Sequence, residues 1–161
     1  MKFLTVSAVA AVALMAATSA QAADMYSSVT GSDMVQIMNE VGYSGTLGKD
    51  NEGDPMITGQ IQGYKYTLFF YRCNKQQNPE SCLDLQFHSS FTNDTNVNYA
   101  ALNAYNRDNR FGQAFFQQNG EIGLDMSATL QGGVTRQHIK EVIDWWKVTL
   151  TGFPKKLNGG N

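Results

Sequence analysis

Tyr64-Lys65-Tyr66-Thr67-Leu68-Phe69-Phe70-Tyr71-Arg72 is the strongest strand signal in the chain. Aromatic residues fall on both alternating faces, as in a central strand covered on at least part of each side. After Cys73 and a polar stretch over residues 74–81, Cys82 opens a second strand with clean alternation. Leu83, Leu85, Phe87 and Phe91 share one face, and Asp84, Gln86, His88 and Ser90 share the other. The two runs read as a central hairpin, so the fold is decided here as a sheet with a two-sided middle.

Working outward, Met56 to Gln62 reads as a strand that Gly63 separates from the aromatic run. Before it, Asp50-Asn51-Glu52-Gly53-Asp54-Pro55 is a turn cluster between two candidate strands. It lacks the glycine placement and the closing Glu of a calcium loop, so no metal is expected there. Upstream, Met34, Ile37, Met38 and Val41 repeat at helical spacing behind a Thr30 or Ser32 cap, and Gly42 is a natural stop. Residues 24–30 read as a polar lead-in.

Downstream, residues 94–98 offer caps for a second helix holding Ala100, Ala101, Leu102, Ala104 and Tyr105. Residues 113–118 form a strand, and Asn119-Gly120 is a hairpin signal. The return strand puts Ile122, Leu124, Met126, Ala128 and Leu130 on one face, with Gly123, Asp125, Ser127 and Thr129 opposite. Thr135 caps a last helix with the stripe Ile139, Val142, Ile143, Trp146 and Leu150, and Gly152 and Pro154 are expected to end it. The order is α-β-β-β-α-β-β-α: an α+β domain with an antiparallel five-stranded sheet flanked by helices.

The N-terminus carries an export signal. Met1-Lys2 is a short positive start, residues 3–18 are an apolar run, and Ala20-Gln21-Ala22 places small residues at the cleavage site. Residues 1–22 are read as a signal peptide and residues 23–161 as one domain, with its core over 30–153 and a mobile tail over 154–161. Export to the periplasm or medium makes a Cys73–Cys82 disulfide the simplest reading of an even cysteine pair. Its loop spacing fits neither a redox Cys-x-x-Cys nor the usual zinc motifs.

Composition narrows function more than it specifies it. Of 161 residues, 42% are hydrophobic and 16% charged, with net charge −2 and two His. That balance gives no basic surface for nucleic acid and little material for a metal or cofactor, and no stable membrane insertion is expected after cleavage. No nucleophile elbow is present. His88 and Asp84 share a face, but four strand residues hold them about 13 Å apart, too far for a Ser-His-acid relay. His88 and His138 therefore read as surface or packing residues, and no enzyme activity is expected.

Two regions are less bland. Asn103, Asn106 and Arg110 crowd the junction after the second helix, either as a corner in which Arg110 reaches a carboxylate or as a binding patch. Trp145 lies about 100° around the helix from Trp146, at the edge of the core stripe, against the sheet or presented to a partner.

Asn103-x-Tyr105-Asn106-x-x-x-Arg110-Phe111, followed by Gly132-Gly133-Val134-Thr135 and Asp144-Trp145-Trp146, resembles the YbjN family of putative bacterial sensory transduction regulators. Tyr105 stands where that family has Trp. Gly42-Tyr43, Gly53-Asp54-Pro55 and Phe69-Phe70-Tyr71 extend the likeness over about residues 30 to 153. The resemblance implies a fold similar to type III secretion chaperones and transfers no catalytic residue. The expected function is an exported, non-enzymatic interaction or regulatory module of the cell envelope. Its expected partner is an envelope protein or peptide, and chaperone-like relatives often pair, so a homodimer is one expected assembly. The alternative is a small-ligand binder using an aromatic surface around Tyr64, Tyr66, Phe69, Tyr71 and Trp145.

Overall fold

A computed structural model describes residues 24–157. The expected signal peptide, residues 1–22, and residues 158–161 of the expected tail lie outside the described residues. Two short strands, β1 (Met25–Tyr26) and β2 (Val29–Thr30), lead into helix α1 (Gly31–Glu40). Four strands follow: β3 (Gly45–Lys49), β4 (Pro55–Ile61), β5 (Tyr64–Asn74) and β6 (Ser81–Phe91). Then come α2 (Tyr99–Asp108), β7 (Gln113–Phe116), β8 (Ile122–Thr129), β9 (Val134–Thr135) and α3 (Arg136–Leu157). The main sheet is antiparallel, in the order β3-β4-β5-β6-β8-β7, with β2 paired to β6 beyond the end of β8.

The sheet therefore has seven strands rather than the expected five. The additional edge strand β3 is Gly-Thr-Leu-Gly-Lys, mostly exposed, so it carries no hydrophobic alternation to read. The polar lead-in is corrected as well: β1 pairs with β9, and β2 pairs with β6 while burying Val29.

Local chemistry sets the boundaries. Thr30 Oγ1 accepts from the Asp33 N–H at 3.1 Å, and the Asp33 carboxylate accepts from the Thr30 N–H at 2.9 Å, a reciprocal cap for α1. Asn98 caps α2 through the Ala101 N–H, and Thr135 caps α3 through the His138 N–H. Gln62 and Gly63, both at positive φ, turn β4 into β5 as a tight two-residue hairpin requires. The disulfide joins Cys73 and Cys82, which face each other in the ladder at the far end of the central hairpin.

All three helices cover one face of the sheet. Tyr66, Leu68 and Phe70 of β5 and Leu85 and Phe87 of β6 are buried beneath them. Trp146 of α3 lies in the middle, its ring stacked on Phe87 at 5.4 Å. Helix α3 runs through Gly152 and Pro154 to Leu157, correcting its expected end. Proline removes one helical hydrogen bond, but Phe153 is fully buried between Phe91 and Tyr105, and that packing holds the last turn on the sheet. No helix of the described residues is long and apolar enough to cross a membrane.

Candidate functional site

The opposite face of the sheet is covered by no helix among the described residues. Its alternate side chains line up across the ladder in a row: Thr46, Thr58, Thr67, His88, Asp125 and Gln113, each opposite the next. A concavity of about 690 Å³ lies over the β3–β6 half of this face, bordered by Thr58, Gln60, Lys65, Thr67, His88 and Ser90. That is the size range of small-molecule sites.

A chain of hydrogen bonds crosses the same face. Tyr71 Oη donates to Gln86 Oε1 at 2.9 Å, and Gln86 Nε2 donates to Asp125 Oδ2 at 3.0 Å. Asp125 Oδ1 is 2.6 Å from His88 Nδ1, and His88 Nε2 is 3.1 Å from Ser90 Oγ. Gln117 Nε2 in turn donates to Ser90 Oγ at 2.8 Å. A carboxylate only accepts, so the Asp125 contact places the imidazole proton on Nδ1. Nε2 is then left to accept from the Ser90 hydroxyl, and every donor along the path has its acceptor. Burial, with the nearby Asp125 charge as the next cause, raises the Tyr71 hydroxyl above its ordinary range and keeps it a donor.

Asp84, the acid sharing a strand with His88, is engaged elsewhere. Arg72 sits at φ 52°, in the left-handed region, and its guanidinium forms a two-pronged pair with the Asp84 carboxylate. The pair holds Asp84 below its ordinary carboxylate range. Gln131 Oε1 and Thr129 Oγ1 also accept from the Arg72 guanidinium, at 2.8 and 3.3 Å. A second hollow of about 500 Å³ lies here, bordered by Tyr71, Asp84, Gln86, Ser127 and Thr129.

The residues singled out from sequence are scattered by the fold. Tyr64 and Tyr66 are on the helix-covered face, which corrects the expectation of one aromatic surface. Tyr66 is buried, its hydroxyl pushed up to about 12 by that burial. Its ring fits because Gly59 lies opposite it in the ladder; a Cβ at Gly59 would stand 2.6 Å from the Tyr66 hydroxyl. Phe69 and Tyr71 are on the open face. Trp145 lies beyond the helix layer, stacked on Phe111 at 4.8 Å with about a third of its surface exposed.

The Asn-rich corner resolves toward structure. Asn106 Nδ2 donates to the Ala114 carbonyl at 2.9 Å, and its Oδ1 accepts from the Ala114 N–H at 2.8 Å. The side chain thus pairs with edge strand β7 as another strand would. Asn109 Nδ2 donates to the Tyr105 carbonyl at the helix end. Asn103 is exposed on α2. Arg110 does not reach a carboxylate among the described residues; its guanidinium lies 5.2 Å from the Phe111 ring centroid.

One acid–sulfur cluster has metal-like proximity: Asp54, Cys73 and Glu80. Cys73 is spent in the disulfide, and the acids pair with Lys75 at 2.8 Å and Lys49 at 3.0 Å. These ion pairs clamp the hairpin end.

Sequence reasoning missed the Asp125–His88–Ser90 alignment because it lacked the register between β6 and β8. The signal present was the shared polar face: His88 and Ser90 on one strand, Asp125 on another.

No curated protein matches the chain. Residues 32–157 match the family model described as YbjN, putative bacterial sensory transduction regulator. The match takes in nearly all of α1, strands β3 to β9 and the whole of α3, and with it the Asn106 corner and the open face. The chain belongs to the YbjN family.

Proposed function

We propose that this chain is an exported, non-enzymatic regulatory module of the cell envelope that binds a protein or peptide segment on the open face of its sheet. The observation that carries the reading is the asymmetry of that sheet. Three helices bury one face, while the other presents an ordered row of hydroxyl, amide, imidazole and carboxylate groups with nothing among the described residues over it. Polar groups fixed by mutual hydrogen bonds lose little conformational freedom when a partner arrives, which favours recognition. The chaperone-like resemblance supports a surface for extended chain, and the family description supports regulation rather than turnover.

The test is a photo-crosslinking residue placed at exposed Thr58 on the open face or at exposed Val148 on α3. In native envelope, Thr58 is expected to yield a defined crosslinked partner and Val148 none. Crosslinks from Val148 alone would overturn the reading. N-terminal sequencing checks export, with Ala23 the expected first residue; an uncleaved cytoplasmic chain would refute it.

A second reading, small-ligand binding, is favoured by the 690 Å³ concavity. Its site is the polar hollow beside Lys65 and His88, not a continuous aromatic surface. A rise in melting temperature with one class of small molecule, absent in Thr58→Arg, is the outcome that selects it.

A further inference from the structure

We infer that Ser90 is an activated nucleophile that takes up an acyl group from a carboxylic ester or lactone, with His88 as its base and Asp125 as the group that orients the base. The inference goes beyond non-covalent binding and holds whatever the partner is. A reactive serine needs a base within hydrogen-bond reach and a third group fixing that base. Ser90 Oγ lies 3.1 Å from His88 Nε2, and His88 Nδ1 lies 2.6 Å from Asp125 Oδ1. Asp125 is itself held, through Oδ2, by Gln86. Three strand positions fix this alignment: His88 and Ser90 alternate on β6, and Asp125 faces His88 directly across the ladder on β8. Ser90 is exposed on the border of the concavity, where a carbonyl carbon can reach it.

The step balances without any added oxidant or cofactor. Ser90 Oγ attacks the carbonyl carbon as its proton passes to His88 Nε2. The tetrahedral adduct collapses, the bond to the leaving alkoxide breaks, and that oxygen takes the proton back from Nε2. The products are a Ser90 ester and an alcohol, free for an ester substrate and still tethered to the acyl chain for a lactone. The Gln117 amide donates to Ser90 Oγ at 2.8 Å and so helps hold the hydroxyl towards His88 Nε2, and Lys65 borders the same hollow. Ser90 pairs with Gly123 in the β6–β8 ladder, and no backbone oxyanion hole is identified beside it among the described residues. Esters and lactones, with good leaving groups, are the substrates such a site handles. Uptake of one acyl group per chain, rather than rapid turnover, is the expected result, and it would make a regulator's response covalent.

The test uses the oxidised, folded protein with two probes, a fluorophosphonate and p-nitrophenyl acetate, read by intact mass and peptide mapping. Ser90 is expected to carry the single adduct, with Ser127 on the same face unlabelled. Labelling should vanish in Ser90→Ala and fall roughly 100-fold in His88→Gln and Asp125→Asn, the range for loss of a positioned base. No adduct, equal labelling of Ser127, or undiminished labelling in His88→Gln would overturn the inference. All three substitutions are on the solvent-facing side, and unchanged circular dichroism confirms folding. Thr58 crosslinks that persist in Ser90→Ala separate failure here from failure of the binding reading.

Discussion

Phe87 and His88 are neighbours in the chain and belong to opposite regions of the molecule. Phe87 is fully buried against Trp146 in the helix-covered layer, while His88 is held by Asp125 and Ser90 in the open layer. Alternation along one strand thus separates the two tasks of the sheet. The covered side supplies apolar burial, which scales with area removed from water. The open side supplies directed polar groups, whose net contribution to stability is small because water would serve them nearly as well. A regulator built this way can vary its open face with little effect on folding.

The sharpest way to break that comparison is to truncate both residues separately. Phe87→Ala is expected to cost about 3–5 kcal/mol by urea unfolding, through lost transfer energy and the cavity left under Trp146. His88→Ala should cost no more than about 1 kcal/mol, since it removes partly exposed hydrogen bonds. Equal losses would mean that the open face is a stability element, and its reading as a recognition surface would fail.

Next in size is the disulfide, which bridges β5 and β6 beside their connecting loop. Replacing both Cys73 and Cys82 by Ser is expected to cost about 2–3 kcal/mol, the closure entropy of a loop this short in the unfolded chain. The open-face network lies several residues further along the hairpin, so crosslinking from Thr58 should survive. A loss well under 1 kcal/mol would show that β2 pairing and the Lys49–Glu80 and Lys75–Asp54 bridges hold the end unaided.

The covered side was the more legible in sequence. Helical stripes, caps, the central hairpin and the Asn119-Gly120 turn are local signals, and each of them appears in the structure. The edge strand β3 was only implied, as the run before the Asp50–Pro55 turn, because Gly45 and Gly48 carry no side chains to alternate; a Cβ at Gly45 would collide with the Ile57 side chain across the ladder. Pro154 misled because local propensity was outweighed by the burial of Phe153. The open-face site was half legible. Its residue types stood on the correct faces, but sequence alone sets only Asp84, on the same strand, against His88, and distance excludes it; pairing register gives Asp84 to Arg72 and brings Asp125 from β8 to His88.

The two edges of the sheet extend the comparison. At β7, Asn106 hydrogen-bonds both backbone groups of Ala114 and so closes the edge to strand pairing; β3 has no such side chain among the described residues. Asn106→Ala should cost about 1–2 kcal/mol and raise the amide exchange of Ala114. If Ala114 stays protected, packing of α2 rather than the side-chain pairing closes that edge.

The smallest effect concerns what ties the helices to one another outside the core. Glu40 at the end of α1 pairs with Arg136 and Lys140 of α3, and Arg136 also contacts the Tyr26 hydroxyl. These cations, Arg136 foremost, lower the Glu40 carboxyl from 4.5 to about 2. A carboxyl depressed in the folded state favours folding above its unfolded value, and the contribution is lost as pH falls from about 4.5 towards 2. The stability difference between wild type and Glu40→Gln should therefore shrink across that window. The group is exposed, so the difference should be small and should shrink further with added salt. A difference independent of pH would mean that Glu40 acts through its shape and hydrogen bonds rather than its charge. Trp145 and Trp146 report on α3 directly, so fluorescence should show the helix layer loosening in acid by this route only where Glu40 is present.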